Sequence, residues 1–178
     1  SAGNTAKAIT KGFAIAAAAL TVLALFAAFV SEVNLALAPV GKSFNFEDAS
    51  LINPLILAGI FLGAMCPPLF SALTMNSVTK NAFAMIEEIR RQFREEPGIM
   101  EGKVRPDYNR CISMAASGAL TSLIVPAIIA IIFPLIVGFV MGPKGLTGFL
   151  GGSIITGVIF ALFMSNAGGL WDNSKKFI

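Results

Sequence analysis

Histidine is absent from this chain of 178 residues. That excludes imidazole metal sites and His-based catalytic triads within it. Cysteine occurs twice, as Cys66 and Cys111, with no CxxC spacing. Two lone thiols, one inside an apolar run, read as packing residues and not as a metal or redox site. Charge is scarce as well: 13% of residues are charged, with 13 basic against 10 acidic and a net charge of +3. No strand-like alternation, P-loop, nucleophile elbow or dinucleotide fingerprint occurs, and no nucleic-acid partner is expected. What remains is apolar. The chain is 56% hydrophobic with a mean hydropathy of +0.79, beyond the range of an ordinary water-soluble domain.

A spanning helix needs roughly 20 apolar residues, so this length allows about four spans with connections. They are expected at about 12–30, 51–75, 113–141 and 146–164. The segment between the first two carries Glu32, Lys42, Glu47 and Asp48 with Pro39 and Gly41, and reads as an outside loop. Pro67-Pro68 predicts a kink in the second span, its freed carbonyls met by neighbouring helices. From Asn76 to Phe93 apolar residues recur at 3 to 4 spacing among Lys80, Glu87, Glu88, Arg90 and Arg91, predicting an amphipathic helix leaving the membrane. Pro97-Gly98 should stop it, and Pro106 should mark the next helix start. Residues 142–145 (GPKG) predict a tight turn. Gly151, Gly152, Ser153, Gly157 and Ala161 predict close helix approach in the fourth span. The expected fold is therefore an all-α membrane protein.

Orientation follows from Lys and Arg. The first segment, residues 76–110 and the last segment hold 11 of the 13; the two other loops hold only Lys42 and Lys144. Both polar ends and the 76–110 segment are therefore expected on the cytoplasmic side of a multi-pass protein, where the ends can meet.

The chemistry is concentrated at those ends. Asp172 is followed at i+3 and i+4 by Lys175 and Lys176, which places all three on adjoining helix faces. Such a group is either a surface salt bridge or a place where Mg²⁺ meets the carboxylate while Lys meets phosphate oxygens. Gly168-Gly169 permits close approach of backbone to a ligand or helix. Asn4 and Lys11 are two helical turns apart, with Lys7 and Thr10 between them. From the residues alone, the lysines read first as anchors at the membrane interface and only second as phosphate-binding point charges. Residues 87–93 (EEIRRQF) read as a solvated, salt-bridged face, or else as a lever linking a cytoplasmic site to the spans.

Three separated motifs carry a family resemblance. Gly3-Asn4-Thr5, followed by Lys11 to Ile15 (KGFAI), resembles the GNTTxxxxKGFAI signature of membrane-bound, ion-pumping pyrophosphatases. EEIRRQF (87–93), PGIMEG (97–102) and PDY (106–108) are similar to that family's cytoplasmic connection. GGLWDNSKKFI (168–178) resembles its GGAWDNAKKYI motif. The resemblance runs nearly end to end.

It implies a homodimer of subunits with about 16 transmembrane helices, of which this chain would supply four as a partial domain over 1–178. It implies hydrolysis of Mg²⁺-complexed pyrophosphate, coupled to ion transport out of the cytoplasm of a bacterial cell, or across an acidocalcisome or vacuole membrane. By motif position, Asn4, Lys11, Lys175 and Lys176 would line the pyrophosphate site and Asp172 would help hold Mg²⁺. Lys7 and Thr10 match the K⁺-independent pattern, in which a tethered ammonium stands where other members bind K⁺, and this favours H⁺ as the pumped ion. Ala6, Leu170 and Ser174 depart mildly from the motifs. Thr121-Ser122 falls where the family commonly has a Lys-Glu pair. The Asp-rich motifs that hold most metals, and the ion gate, lie outside, so this segment is expected to be inactive alone as an internal piece of a longer protein. Two rivals remain: a Na⁺-pumping pyrophosphatase, and a non-enzymatic four-helix transporter or assembly subunit.

Overall fold

A computed structural model describes residues 2–45 and 50–177; Glu47 and Asp48 of the expected outside loop lie outside the described residues. The described chain is helical: α1 (Ala2–Leu37), α2 (Pro54–Glu95) and α3 (Tyr108–Lys175), with short 3₁₀ turns at Ala38–Val40 and Pro97–Ile99. Each end is set by local chemistry. Gly41 takes φ 68°, and the Lys42 amide reaches back to the Leu37 carbonyl at 3.2 Å, closing α1 in the manner of a glycine C-cap. Asn53 caps α2, its Oδ1 accepting from the Leu55 amide at 3.0 Å, with Pro54 at the first helical position. Asp107 caps α3 by accepting from the Arg110 amide at 3.0 Å.

All three helices are long and apolar enough to cross a membrane. Four spans are expected from the sequence, and the structure corrects that number to three. The third and fourth predicted spans belong to one helical element, α3. The expected GPKG turn contracts to one non-helical residue, Gly142 (φ 67°, ψ −169°). Pro143 follows as a first helical residue, where its missing N–H leaves no bond unmade, so helical bonding resumes at once. The chain nonetheless folds back there. The Phe133 and Phe149 rings lie 6.4 Å apart, whereas a straight helix would separate these residues by about 24 Å. Pro67-Pro68, expected to kink α2, lies inside a helix that continues through it.

The described chain forms two compact units, residues 1–68 with 133–178, and 69–132. In the first, α2 and the later part of α3 pack backbone to backbone. A Cβ on Gly59 would collide with the Gly145 carbonyl, and one on Gly63 with the Phe149 carbonyl. From the other side, a Cβ on Gly148 or Gly152 would collide with the carbonyl of Ile56 or Ile60. Glycines four apart on both helices thus allow an approach that no side chain would permit. Ile56, Val137 and Phe149 are buried around this seam. In the same unit Asn34 clasps the returning chain. Its amide donates to the Phe44 carbonyl at 2.7 Å, and its oxygen accepts from the Phe44 amide at 2.6 Å.

The second unit is a helical hairpin. Gln92 bridges its two arms, donating to the Asp107 carbonyl at 3.3 Å and accepting from the Asp107 amide at 2.9 Å. Glu88, only 5% exposed, is held by Arg91 in a two-point pair (2.7 and 3.0 Å) and by Arg110 at 3.0 Å. The segment expected to be a solvated face is therefore divided: Glu87 and Arg90 pair in the open, while Glu88 turns inward. Further along, the Asn81 amide donates to Ser122 Oγ at 3.3 Å, and Gly118 leaves room for the Asn81 side chain.

Adjacent glycines should respond oppositely to alanine. Gly152→Ala should lower stability by about 1–3 kcal/mol, the usual cost of overpacking. Gly151→Ala, whose Cβ would meet open space, should be neutral or stabilising by up to about 1 kcal/mol through helix propensity. Thermal unfolding in detergent checks both signs. Glu88, beyond the apolar stretch that ends at Met75, has its carboxyl lowered to about 2, first by Arg91 and then by Gln92. A depressed carboxyl stabilises the fold above its unfolded value near 4.5 and loses that contribution as pH falls toward 2. Helicity measured from pH 6 to pH 2 should show an acid loss that Glu88→Gln diminishes.

Candidate functional site

Within the first unit, the start of α1 and the end of α3 run antiparallel and touch in matched steps. The Asn4 amide donates to Asp172 Oδ2 and, at 3.1 Å, to Asn173 Oδ1. One turn inward, a Cβ on Gly169 would stand 3.4 Å from Ala8 Cβ, an ordinary contact. One turn further, Lys11 and Ser165 face the same hollow. The hollow has a volume of about 270 Å³, and its polar lining is Asn4, Lys7, Lys11, Ser165 and Asp172. The continuing groove shares Lys11 and Ser165 with the hollow and is otherwise walled by Ala14, Ile15, Ala18, Ala161 and Met164, so polarity ends at those two residues.

Asp172 lies eight residues past Met164, the last residue of its expected span. Lys176 donates to its Oδ2 at 2.9 Å. The bond from Lys176, then the bond from Asn4, holds its carboxyl below the usual range. It is therefore ionised at neutral pH and free of competition from protons. The carboxylate is flanked by donors, the Asn4 amide and the Lys176 ammonium on Oδ2, so what it can offer a hard divalent cation is a single carboxylate ligand. Among the described residues no group of three or more His, Cys, Asp or Glu could hold a metal unaided. Asp172 can thus supply one ligand, and the remaining donors must come from substrate, water or other chain segments.

Of the residues singled out from sequence, Asn4, Lys7, Lys11 and Asp172 share the hollow, and Lys176 joins through Asp172. Lys175 and Thr10 do not line it. Lys175 is exposed and acts on Asp172 only through its charge. The Thr10 hydroxyl donates to the Ala6 carbonyl of its own helix at 2.9 Å. Asn173 and Ser165 are additions. Asn173 carried a signal in its position beside Asp172. Ser165 carried none, since only the antiparallel pairing brings it opposite Lys11. Ser122, at the departure from the family's Lys-Glu pattern, bonds Asn81 in the second unit.

Long apolar helices with a hollow of basic and acidic side chains at their polar ends define the class: an integral membrane protein. The chain belongs to the family described as inorganic H⁺ pyrophosphatase, whose model matches residues 1–178. Over its whole length it is 48% identical to a K⁺-insensitive pyrophosphate-energized proton pump of Methanosarcina mazei, covering 25% of that protein. It is 45% identical, over 185 aligned residues and 26% of the relative, to a protein of the same name from Pyrobaculum aerophilum. A K⁺-stimulated pyrophosphate-energized sodium pump of Thermotoga maritima is 42% identical, with 99% of this chain and 24% of the relative covered. The chain spans about a quarter of the length of the relatives it matches.

Proposed function

We propose that this chain is part of an ion pump that hydrolyses magnesium pyrophosphate to two phosphates and moves H⁺ out of the cytoplasm without requiring K⁺. The carrying observation is the hollow in which Asn4, Lys7, Lys11 and Asp172 converge. The names of the relatives, which describe pyrophosphate-energized pumps, support the same reading. Pyrophosphate is a compact polyanion, and ammonium groups on a rigid helix suit it as point charges. Lys7 and Lys11 attract and orient the anion. Asn4 fixes the Asp172 carboxylate and joins the two helix ends. Lys176 is a third ammonium at the rim, and Lys175 adds positive charge outside it. The divalent cation, when bound, neutralises phosphate charge and so eases transfer to water. Lys7 supports K⁺ independence, because a tethered ammonium in the hollow supplies the charge a free K⁺ would bring. The distribution of lysine and arginine supports cytoplasmic placement of both ends and of residues 76–110. In this reading the whole protein is a homodimer in a bacterial plasma, acidocalcisome or vacuole membrane.

A sodium-pumping variant is the second reading, favoured by the Thermotoga relative. It gives no role to Lys7.

Inverted vesicles carrying the protein at its relatives' full length test the proposal. Adding Mg²⁺ and pyrophosphate without K⁺ or Na⁺ should acidify the lumen; hydrolysis that appears only with K⁺ or Na⁺ would overturn it. Lys7→Ala should lower the K⁺-free rate roughly tenfold, the weight of one charge-assisted hydrogen bond, with recovery on adding K⁺. The 178-residue chain alone should not release phosphate from magnesium pyrophosphate, since it offers a single site carboxylate; measurable turnover would contradict the assignment of missing ligands to other segments.

A further inference from the structure

Ser165 Oγ is the one buried side-chain polar atom among the described residues with no hydrogen-bond partner. A buried hydroxyl left alone is costly, and an orphan of this kind signals an absent water, ion or ligand. Its isolation is unusual within this chain. The hydroxyls of Thr10, Thr74, Thr121, Thr147 and Ser153 each bond a carbonyl three or four residues back, the ordinary arrangement for Ser and Thr in helices. Ser165 does not, although the helix offers the same carbonyls. It walls both the polar hollow and the apolar groove, and only Lys11 shares that double position. Ser165 therefore stands at the floor of the site, where polarity ends. Asp172 at the mouth is already engaged by Asn4 and Lys176, so the charge left to recruit a ligand near the floor is that of Lys7 and Lys11. That charge calls for an oxyanion, and the hydroxyl of a residue that lines the hollow is a donor for it.

We propose that Ser165 is a substrate-positioning residue whose hydroxyl donates a hydrogen bond to a phosphate oxygen of the anion held by Lys7 and Lys11. This rests on the pyrophosphate reading above. It assigns the floor of the hollow to the anion and the mouth, at Asp172, to its cation.

The test uses the full-length protein with Ser165→Ala and Ser165→Thr. Because an unpaired hydroxyl contributes nothing to the ligand-free fold, Ser165→Ala should melt at the same temperature as wild type or higher. Its Kd for pyrophosphate with Mg²⁺, by calorimetry, and its KM should each rise about tenfold, the scale of a hydrogen bond to a charged group, with kcat changing less. Ser165→Thr, which keeps the hydroxyl, should restore most of the affinity. An alanine variant that binds pyrophosphate as tightly as wild type would overturn the proposal, since the hydroxyl would then serve only packing or a water. An alanine variant that fails to fold would overturn it too, by showing a structural role. If wild type itself neither binds nor hydrolyses pyrophosphate, the pump reading falls and the proposal with it; a working wild type beside an unaffected alanine variant removes the Ser165 role alone.

Discussion

Close backbone contact between α2 and α3 is the constraint on which the described structure turns. In an apolar solvent, burying apolar side chains between helices gains little, because lipid tails are as apolar as leucine. Helices must instead be joined by dense packing and by hydrogen bonds that lipid cannot offer. Gly59 and Gly63 on one helix, and Gly148 and Gly152 on the other, remove the side chains that would hold the backbones apart. Large apolar residues are meanwhile left outward, Phe13 at 79% and Phe139 at 89% exposure, as suits surfaces meeting lipid or further helices.

Polar clasps complete what glycine begins, each tying a helix to another stretch of the chain. Asn34 fixes the chain leaving α1, Gln92 and Glu88 fix the hairpin, and Asn4 fixes the two ends of the first unit. The last clasp also borders the candidate site. Asn4 therefore has two roles in the proposed reading: the bond that orients Asp172 is also a bond that joins α1 to α3. A site built across two helices in this way inherits their rigidity, which favours precise placement of charge.

Much of this was legible in sequence, because membrane helices obey a simple length and polarity rule. The helical class, the amphipathic extension past Met75 and the helix start after Pro106 follow from local pattern. So does the gathering of Asn4, Lys11 and Asp172, once the ends are placed on one side. The number of helices did not follow. GPKG reads as a loop by composition, yet one glycine suffices to reverse the chain and proline then restarts the helix at no cost. Glu88 was hidden for another reason. Its i+3 and i+4 neighbours read as a surface network, and only Arg110, 22 residues on in sequence, reveals that it faces the other arm. Thr10 shows the limit of motif position: its hydroxyl is spent on its own helix. Ser165 shows the opposite limit, since its environment depends wholly on a partner more than 150 residues away.

Charge at the site decides what it can hold. Lys7 and Lys11 within the hollow and Lys176 at its rim stand against the single carboxylate of Asp172. That excess of positive charge disfavours a divalent cation arriving alone, because like charges at short range repel strongly where water is partly excluded. A polyanion reverses the balance: its charge offsets the ammoniums and supplies oxygens that a cation needs to complete its shell. In the proposed reading Asp172, bonded by Lys176 and Asn4, then meets a cation that the anion carries in. In the proposed reading the site therefore suits a metal-complexed oxyanion better than either ion alone. It does so with one carboxylate, which is why the remaining ligands are assigned to segments of the protein beyond these three helices.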